Sequence, residues 1–493
     1  MSQAAALRLS SIDAGCDGGR IADLLAAGGD ERIVLDPQTG LNRYGCAANP
    51  CDDLAAFGSS TASVISRSAR DAVAQSMGRL AAGTSYAQEV SGVRERLTRL
   101  CGLPDGAAGD LILAASGTDL HLIAAALASD GRSPLVALLA DPAETGRGVP
   151  DAVRRRRFAT LTPHGAPGEV GQLLAGAVGG ETIDIPVREP TGELRPTDAV
   201  DADFERACAV TVGRGERVLL SLVDVSKTGL IAPSPDCASR LKARFGGAVM
   251  VLVDACQFRM SNATLADYLG RDFLVAVTGS KFVGGPAFSG ALFVPPGEAG
   301  RLRHRALLPA LGDYSGRADW PETWLGRQVL PDLHNLGMML RWQAALHELT
   351  AFRALPEREV SGFLATFGAA VSAAVGEAAS LEPLAVPTLR RAAPEAWDAQ
   401  PTIFPFLARD RHGPLSPDRT QALHRRLMGE VSPVQLGQAV GVGIRDGKPL
   451  TALRLSLSAR LVVEALTRPD GRQLVIERAR HALAETAALA GAI

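Results

Sequence analysis

Phe273-Leu274-Val275-Ala276-Val277-Thr278-Gly279-Ser280-Lys281-Phe282-Val283-Gly284-Gly285-Pro286 is the stretch on which the fold turns. The run Phe273 to Val277 is short and apolar throughout, which predicts a strand buried on both faces. Two hydroxyl residues and a lysine follow at once, and a Gly-Gly-Pro turn closes the segment. Lysine is scarce in this chain, occurring only at Lys227, Lys242, Lys281 and Lys448. A lysine in a partly buried site beside apolar or cationic neighbours loses its proton more readily and becomes a nucleophile.

Working outward, similar apolar runs recur. Gly290 to Val294 follows so closely that it predicts a reversal of direction rather than a full crossover. Upstream lie Ala248 to Val253, Arg217 to Val225, Leu135 to Ala140 and Asp110 to Ala115, with a helix predicted over Leu120 to Ala128. Apolar strands separated by helical segments predict an α/β fold with a mostly parallel central sheet covered on both faces. A helix is also expected over Tyr86 to Cys101. Beyond about residue 336 the pattern becomes α+β: helices over Met338 to Phe352, Ser361 to Glu377 and Gln473 to Leu489, with strands near Ile403 and over Leu453 to Leu457. The expected organisation is an N-terminal segment over 1–85, a large domain over 86–340 and a smaller α+β domain over 341–493.

Whole-chain properties exclude several classes. The 493 residues are 46% apolar and 21% charged, with a formal net charge of −2. No basic excess points to nucleic acid or an anionic membrane. The apolar runs are far shorter than the roughly 20 residues of a membrane span. The first residues lack a basic start followed by an apolar core, so no signal peptide is expected and the location is read as cytoplasmic. Seven scattered cysteines include no CxxC pair, and the histidines show no ligand spacing. Reduced thiols and no metal site are the expectation.

Three segments sit at predicted strand ends, the edge where open α/β sheets bind ligands. Ser116-Gly117-Thr118 opens a helix, where backbone N–H groups and a hydroxyl suit a phosphate. Asp254 closes a buried strand and needs a cationic partner there, and Gln257 stands three residues on. Thr278, Ser280 and Lys281 form the third. A phosphate cradle, a strand-end acid and a strand-end amine, in this order, match pyridoxal 5′-phosphate (PLP), which needs an imine-forming amine, an acid for its ring nitrogen and donors for its phosphate.

These motifs, with Gly284-Gly285-Pro286, Gly290-Ala291-Leu292-Phe293-Val294 and Leu453-Arg454-Leu455-Ser456-Leu457, resemble the fold-type I PLP-dependent enzymes, within them the class V aminotransferase and cysteine desulfurase group. The resemblance implies that Lys281 carries PLP as a Schiff base and that Asp254 pairs with the pyridine nitrogen. It further implies that Gln257 meets the ring oxygen, and that Gly117, Thr118, Thr278 and Ser280 bind the phosphate. Arg454 is then expected to grip a substrate carboxylate, with Lys227 and Asn42 also on the substrate side. The group usually stacks a histidine or aromatic ring on the cofactor; the corresponding stretch here is Asp141 to Gly148, where Thr145 or Arg147 is the candidate. An asparagine of the group is replaced in Val225-Ser226-Lys227-Thr228-Gly229, and Lys227 is the rival attachment point. It precedes Asp254, so Lys281 is preferred.

The implied activity is that of a lyase or transferase acting on an amino acid through a carbanion at Cα, in a specialised biosynthetic role. Desulfuration is disfavoured, because no cysteine follows Cys256 to accept sulfur. An aminotransferase, a non-catalytic PLP-binding regulator, and γ-elimination on S-adenosylmethionine are the alternatives. The last would couple its product to a second substrate such as a nicotinamide nucleotide, and resembles a related biosynthetic group in the Ser-Thr-rich front segment and the Glu-Thr-Gly loop. The resemblance also implies a homodimer, with Tyr314-Ser315-Gly316-Arg317 a candidate to reach the partner.

Overall fold

A computed structural model describes residues 18–104, 109–391, 393–429 and 433–492. Cys16 lies outside them. The main sheet runs in the order Asp110–Ala114, Gly290–Val294, Leu274–Thr278, Val249–Ala255, Arg217–Asp224, Leu135–Ala140, Gly180–Ile185. From Leu274–Thr278 to Gly180–Ile185 every neighbouring pair is parallel. Gly290–Val294 runs antiparallel to both of its neighbours, the reversal that the short connection predicts. The short strand Ile231–Ala232 hangs antiparallel on Arg217–Asp224.

The edge strand Gly180–Ile185 has no counterpart in the sequence reading. Only Ile185 of its six residues is buried. An edge strand with one side in water has no need of a continuous apolar run, so the signal used for the central strands is missing.

Side chains alternate across a strand, and here they divide between two cores. Val249, Val251 and Val253 pack on one face with the helices Arg67–Ala81, Tyr86–Leu100 and Leu336–Arg353. Met250, Leu252 and Cys256 pack on the other, with the helix Gly117–Ala128. The same division holds in the next strand, with Val275 and Val277 on the first face and Leu274 and Ala276 on the second. By this parity Asp254 and Thr278 point toward the face of the Gly117–Ala128 helix.

A second sheet runs Ala55–Phe57, Val434–Arg445, Lys448–Ser456, Ile403–Asp410, Leu381–Pro383. Its first strand comes from the front of the chain and lies parallel to Val434–Arg445. The remaining pairs are antiparallel. Glu357–Glu377 is long and apolar enough by composition to cross a membrane. Its stripe of Val360, Phe363, Leu364, Phe367, Val371 and Val375 is buried in the core over this sheet, so those residues are already covered by protein.

The two sheets meet at an aromatic cluster beside Lys281. Phe282 stacks on Trp397 at 5.3 Å and meets Phe352 edge-on at 5.2 Å. The Phe282 carbonyl accepts the Ala459 N–H at 2.7 Å. Trp397 is fully enclosed, and emptying such a site costs about 3–5 kcal/mol. Trp397→Ala is therefore expected to lower unfolding stability by about that amount in urea titration; a loss below about 1 kcal/mol would contradict this packing.

Candidate active site

The carboxyl ends of the central strands open into a cleft of about 620 Å³ between the two sheets. That is within the usual range for small-molecule sites, roughly 300–1,000 Å³. Gly117, Thr118, Lys227, Asp254, Gln257, Thr278, Ser280, Lys281 and Arg454 all line it. Asn42 does not: its side-chain oxygen accepts the N–H groups of Tyr44 (2.9 Å) and Cys46 (3.1 Å), which holds the loop's own turn.

Asp254 is the buried end of its strand. One helical turn into Gly117–Ala128 stands His121, with Nε2 3.3 Å from Asp254 Oδ2 and Nδ1 2.7 Å from the Gly117 carbonyl oxygen. The Cys256 N–H donates to Asp254 Oδ1 at 3.2 Å. Burial opposes ionisation of Asp254, but His121 and Lys281 outweigh it and hold the carboxyl well below the usual carboxylate range. Burial likewise opposes charging of His121, and Asp254 raises its pKa nonetheless. The pair is a buried carboxylate with an imidazole beside it, and both residues line the cleft.

The helix start is built for close approach. Ser116 caps it by accepting the Asp119 N–H. A Cβ at Gly117 would lie 2.7 Å from Cys256 Sγ and 3.4 Å from Thr278 Cγ2, so the strand ends can pack on this turn only against glycine. Thr118 Oγ1 accepts from Arg32 Nη1 at 3.3 Å. The Thr278 hydroxyl donates to the Cys256 carbonyl at 2.6 Å and accepts from Ser280 at 3.3 Å. Thr278 thus braces the cradle, and its proton is already committed. After Lys281, the chain turns at Gly284 with φ +97°, a conformation that favours glycine.

Gln257 donates to the Ser60 carbonyl at 2.9 Å and accepts from Arg259 at 3.1 Å. Arg454 donates to the Lys227 carbonyl (3.1 Å), Thr61 Oγ1 (3.0 Å) and the Gln438 carbonyl (2.6 Å). It is buried, its Nε has no partner, and no carboxylate pairs with it among the described residues. Burial pulls its pKa down to about 10. Lys227 donates to the Ala143 carbonyl at 3.1 Å. Burial first, then Arg454 and Lys281, pull its pKa down to about 8.

The wall over the cleft is the loop 141–148. It is pinned by Glu144, which accepts from Arg188 (3.1 Å), Ser226 (2.7 Å) and Thr228 Oγ1 (2.6 Å) inside the protein. Thr145 is buried in this wall with an unpartnered hydroxyl, while Arg147 is exposed at the mouth. Tyr314 and Ser315 are buried within their own chain, Ser315 accepting from Trp320 Nε1 at 2.9 Å, so only Arg317 of that segment is partly open.

Four features of the site escaped the sequence reading. His121 carried a faint signal, as a lone imidazole just before the apolar run Leu122 to Ala128 of its helix. Arg32 carried none; it is held by Asp30 and lies over the Phe288 ring at 4.9 Å. The Ser59–Thr61 contacts to Arg259, Gln257 and Arg454 and the Glu144 network are pairings across hundreds or tens of residues, which only folding brings together. Phe258 and Phe288 also take left-handed backbone angles (φ +52° and +74°) beside the cleft, a strain that clusters at functional sites.

A lysine whose folded pKa is depressed binds fewer protons than in the unfolded chain between about pH 8 and the unfolded value near 10.4. Stability then rises with pH across that window. In urea unfolding at pH 7.5 and 9.5, Lys227→Met is expected to remove part of the wild-type gain at the higher pH; an identical gain in both proteins would contradict a desolvated Lys227 without a carboxylate partner.

No protein-family model matches the chain, and no curated relative matches its sequence. Solved structures do match. A C-DES variant with glycine covalently linked to its PLP cofactor aligns at 17% identity over 86% of this chain and 95% of that one, with TM-score 0.56. A NifS-like protein aligns at 11% identity over 87% and 98%, with TM-score 0.53. The cysteine desulfurase CsdA of Escherichia coli aligns at 15% over 88% and 94%, with TM-score 0.50. At these identities the likeness concerns architecture: the chain has the fold of the fold-type I PLP-dependent enzymes.

Proposed function

We propose that this chain is a PLP-dependent enzyme acting on an amino acid or amino-acid-like substrate through a Cα carbanion, as a specialised lyase or transferase. The observation that carries the reading is the His121–Asp254 pair at the wall of the cleft. An acid kept ionised in a buried site, with an imidazole 3.3 Å away, suits a protonated pyridine nitrogen presented from the cleft. The cradle also fits: the Gly117 turn leaves no room for a Cβ, and the Thr118 hydroxyl and the helix N-terminus face the same cleft.

Bound there, PLP supplies an electron sink for negative charge at Cα. Lys281 Nζ would hold the cofactor, and its amine would be the group that carries protons to and from Cα. Asp254 would hold a proton on the ring nitrogen. Gln257 retains a free amide N–H beyond its bond to Ser60 and can donate it to the ring oxygen. Arg454, buried without a counter-ion, offers its guanidinium to the substrate carboxylate. Thr145, buried in the wall, is a better candidate than the exposed Arg147 to pack over the ring.

Cysteine desulfuration remains disfavoured on chemical grounds. Cys256 is the cysteine among the residues lining the cleft. Burial first, then Asp254, raise its thiol pKa well above the ordinary value, so it stays protonated and a poor nucleophile.

The purified protein loaded with PLP is expected to absorb in the near-ultraviolet to visible range. Lys281→Ala should abolish that band after dialysis, and Lys227→Ala should retain it. A band that survives Lys281→Ala and vanishes in Lys227→Ala would overturn the assignment, as would a protein that takes up no PLP.

A further inference from the structure

The proposed chemistry leaves a set of charges at the cleft mouth without a task. Arg43, Arg147 and Arg425 line the cleft, each on a different element and each exposed. None forms an ion pair with a carboxylate of the described residues, whereas elsewhere on the surface Arg67 pairs with Asp52, Arg240 with Glu205 and Arg472 with Glu359.

The three elements are fastened rather than loose. The Arg43 carbonyl accepts from Gln438 Nε2 at 3.0 Å, which ties that loop to the Val434–Arg445 strand. Arg425 sits on the helix Pro417–Gly429, and its neighbour His424 bonds through Nε2 to the Leu436 carbonyl of the same strand at 3.0 Å. Arg147 is carried by the loop that Glu144 anchors. Deeper in the cleft, Lys227 and Arg454 are also cations without a carboxylate partner.

The charge balance points outward. Of the acids lining the cleft, Asp254 is paired with His121, Glu144 is bonded to Arg188, and Glu31 accepts from the backbone of Thr160 and Leu161 at 3.4 and 3.3 Å. A single substrate carboxylate neutralises one of the five unpaired cations. A water-exposed arginine cluster on separate, anchored elements is suited to an extended anion with several oxygens, as planar guanidinium forks match phosphate and carboxylate edges.

We infer that Arg43, Arg147 and Arg425 form an anion subsite at the cleft mouth for a substrate that carries a phosphate-type or multiply charged group remote from its reacting carbon. The inference rests on the reading of the inner cleft as the PLP site and adds to it the class of substrate. That substrate is either the amino acid itself with a distal anionic group or the second reactant of a transfer. Because the arginines are exposed, the subsite is sensitive to salt, whose screening length is about 10 Å at 0.1 M.

The test uses PLP-loaded protein that shows its lysine-dependent absorbance band, with inorganic pyrophosphate as probe in isothermal titration calorimetry. Pyrophosphate is expected to bind with the band unchanged, and to bind more weakly as salt is raised. Each of Arg43→Ala, Arg147→Ala and Arg425→Ala should weaken it roughly three- to fivefold, as suits exposed charge pairs, and the triple variant by well over tenfold. Citrate in place of pyrophosphate separates the two sources of charge: selective pyrophosphate binding assigns a phosphate group, and equal binding assigns a multiply charged anion of either kind. No binding of either anion to banded protein overturns the subsite while leaving the PLP reading intact, as does equal binding by wild type and the triple variant. Pyrophosphate that releases PLP and erases the band has entered the inner cradle, which also overturns it. A protein with no band at all fails the PLP reading instead.

Discussion

A carboxylate at the end of a strand buried on both faces needs a cation, and the architecture around Asp254 is organised by that need. Burial alone would neutralise it. His121 stands 3.3 Å away on the helix Gly117–Ala128, its pKa raised by the carboxylate, and is itself oriented by the Gly117 carbonyl. For this to work, the helix must begin within one turn of the strand end, and Gly117 must pass close to Cys256 with no side chain between them. The alternation of side chains along Val249–Ala255 then decides which core the acid faces. A register slip of one residue would turn Asp254 toward the wrong set of helices.

The second constraint is that the cleft is walled by chain from widely separated positions. Ser59 to Thr61 reach Arg259, Gln257 and Arg454, while Glu144 ties one wall loop to the Ser226–Thr228 turn. The Phe282–Trp397–Phe352 cluster carries the small sheet's contact right up to the residue after Lys281. These contacts are mostly hydrogen bonds to backbone or between buried groups, where leaving one partner unmet costs more than the bond itself contributes. The inner cleft is therefore held rigid, whereas its mouth is lined by exposed arginines free to meet a ligand.

Much of this was legible in the chain itself. The apolar runs from Asp110 to Val294 located the central strands to within a residue or two, because fully buried strands leave an unbroken signature. Thr118, Asp254, Gln257 and Lys281 stood out because strand ends followed by small or hydroxyl residues mark ligand edges, and the folded chain gathers them in one cleft. The edge strand Gly180–Ile185 left no such mark, being mostly open to water. Ala55–Phe57 left none either, since a three-residue strand is defined by the partner it meets.

By itself, then, the sequence determined the α/β class, the central strands and the order of the acid, amide and lysine, since those depend on local apolar pattern and on residues a few positions apart. Only the tertiary structure decided that His121 pairs with Asp254 and that Thr278 spends its proton on Cys256 rather than facing outward. It alone turned Asn42 into its own loop and brought Arg32, Arg43 and Arg425 to the cleft. These are consequences of which surfaces pack together. A side chain's free donors and unpaired charge are set by neighbours hundreds of residues away, and no local pattern encodes them.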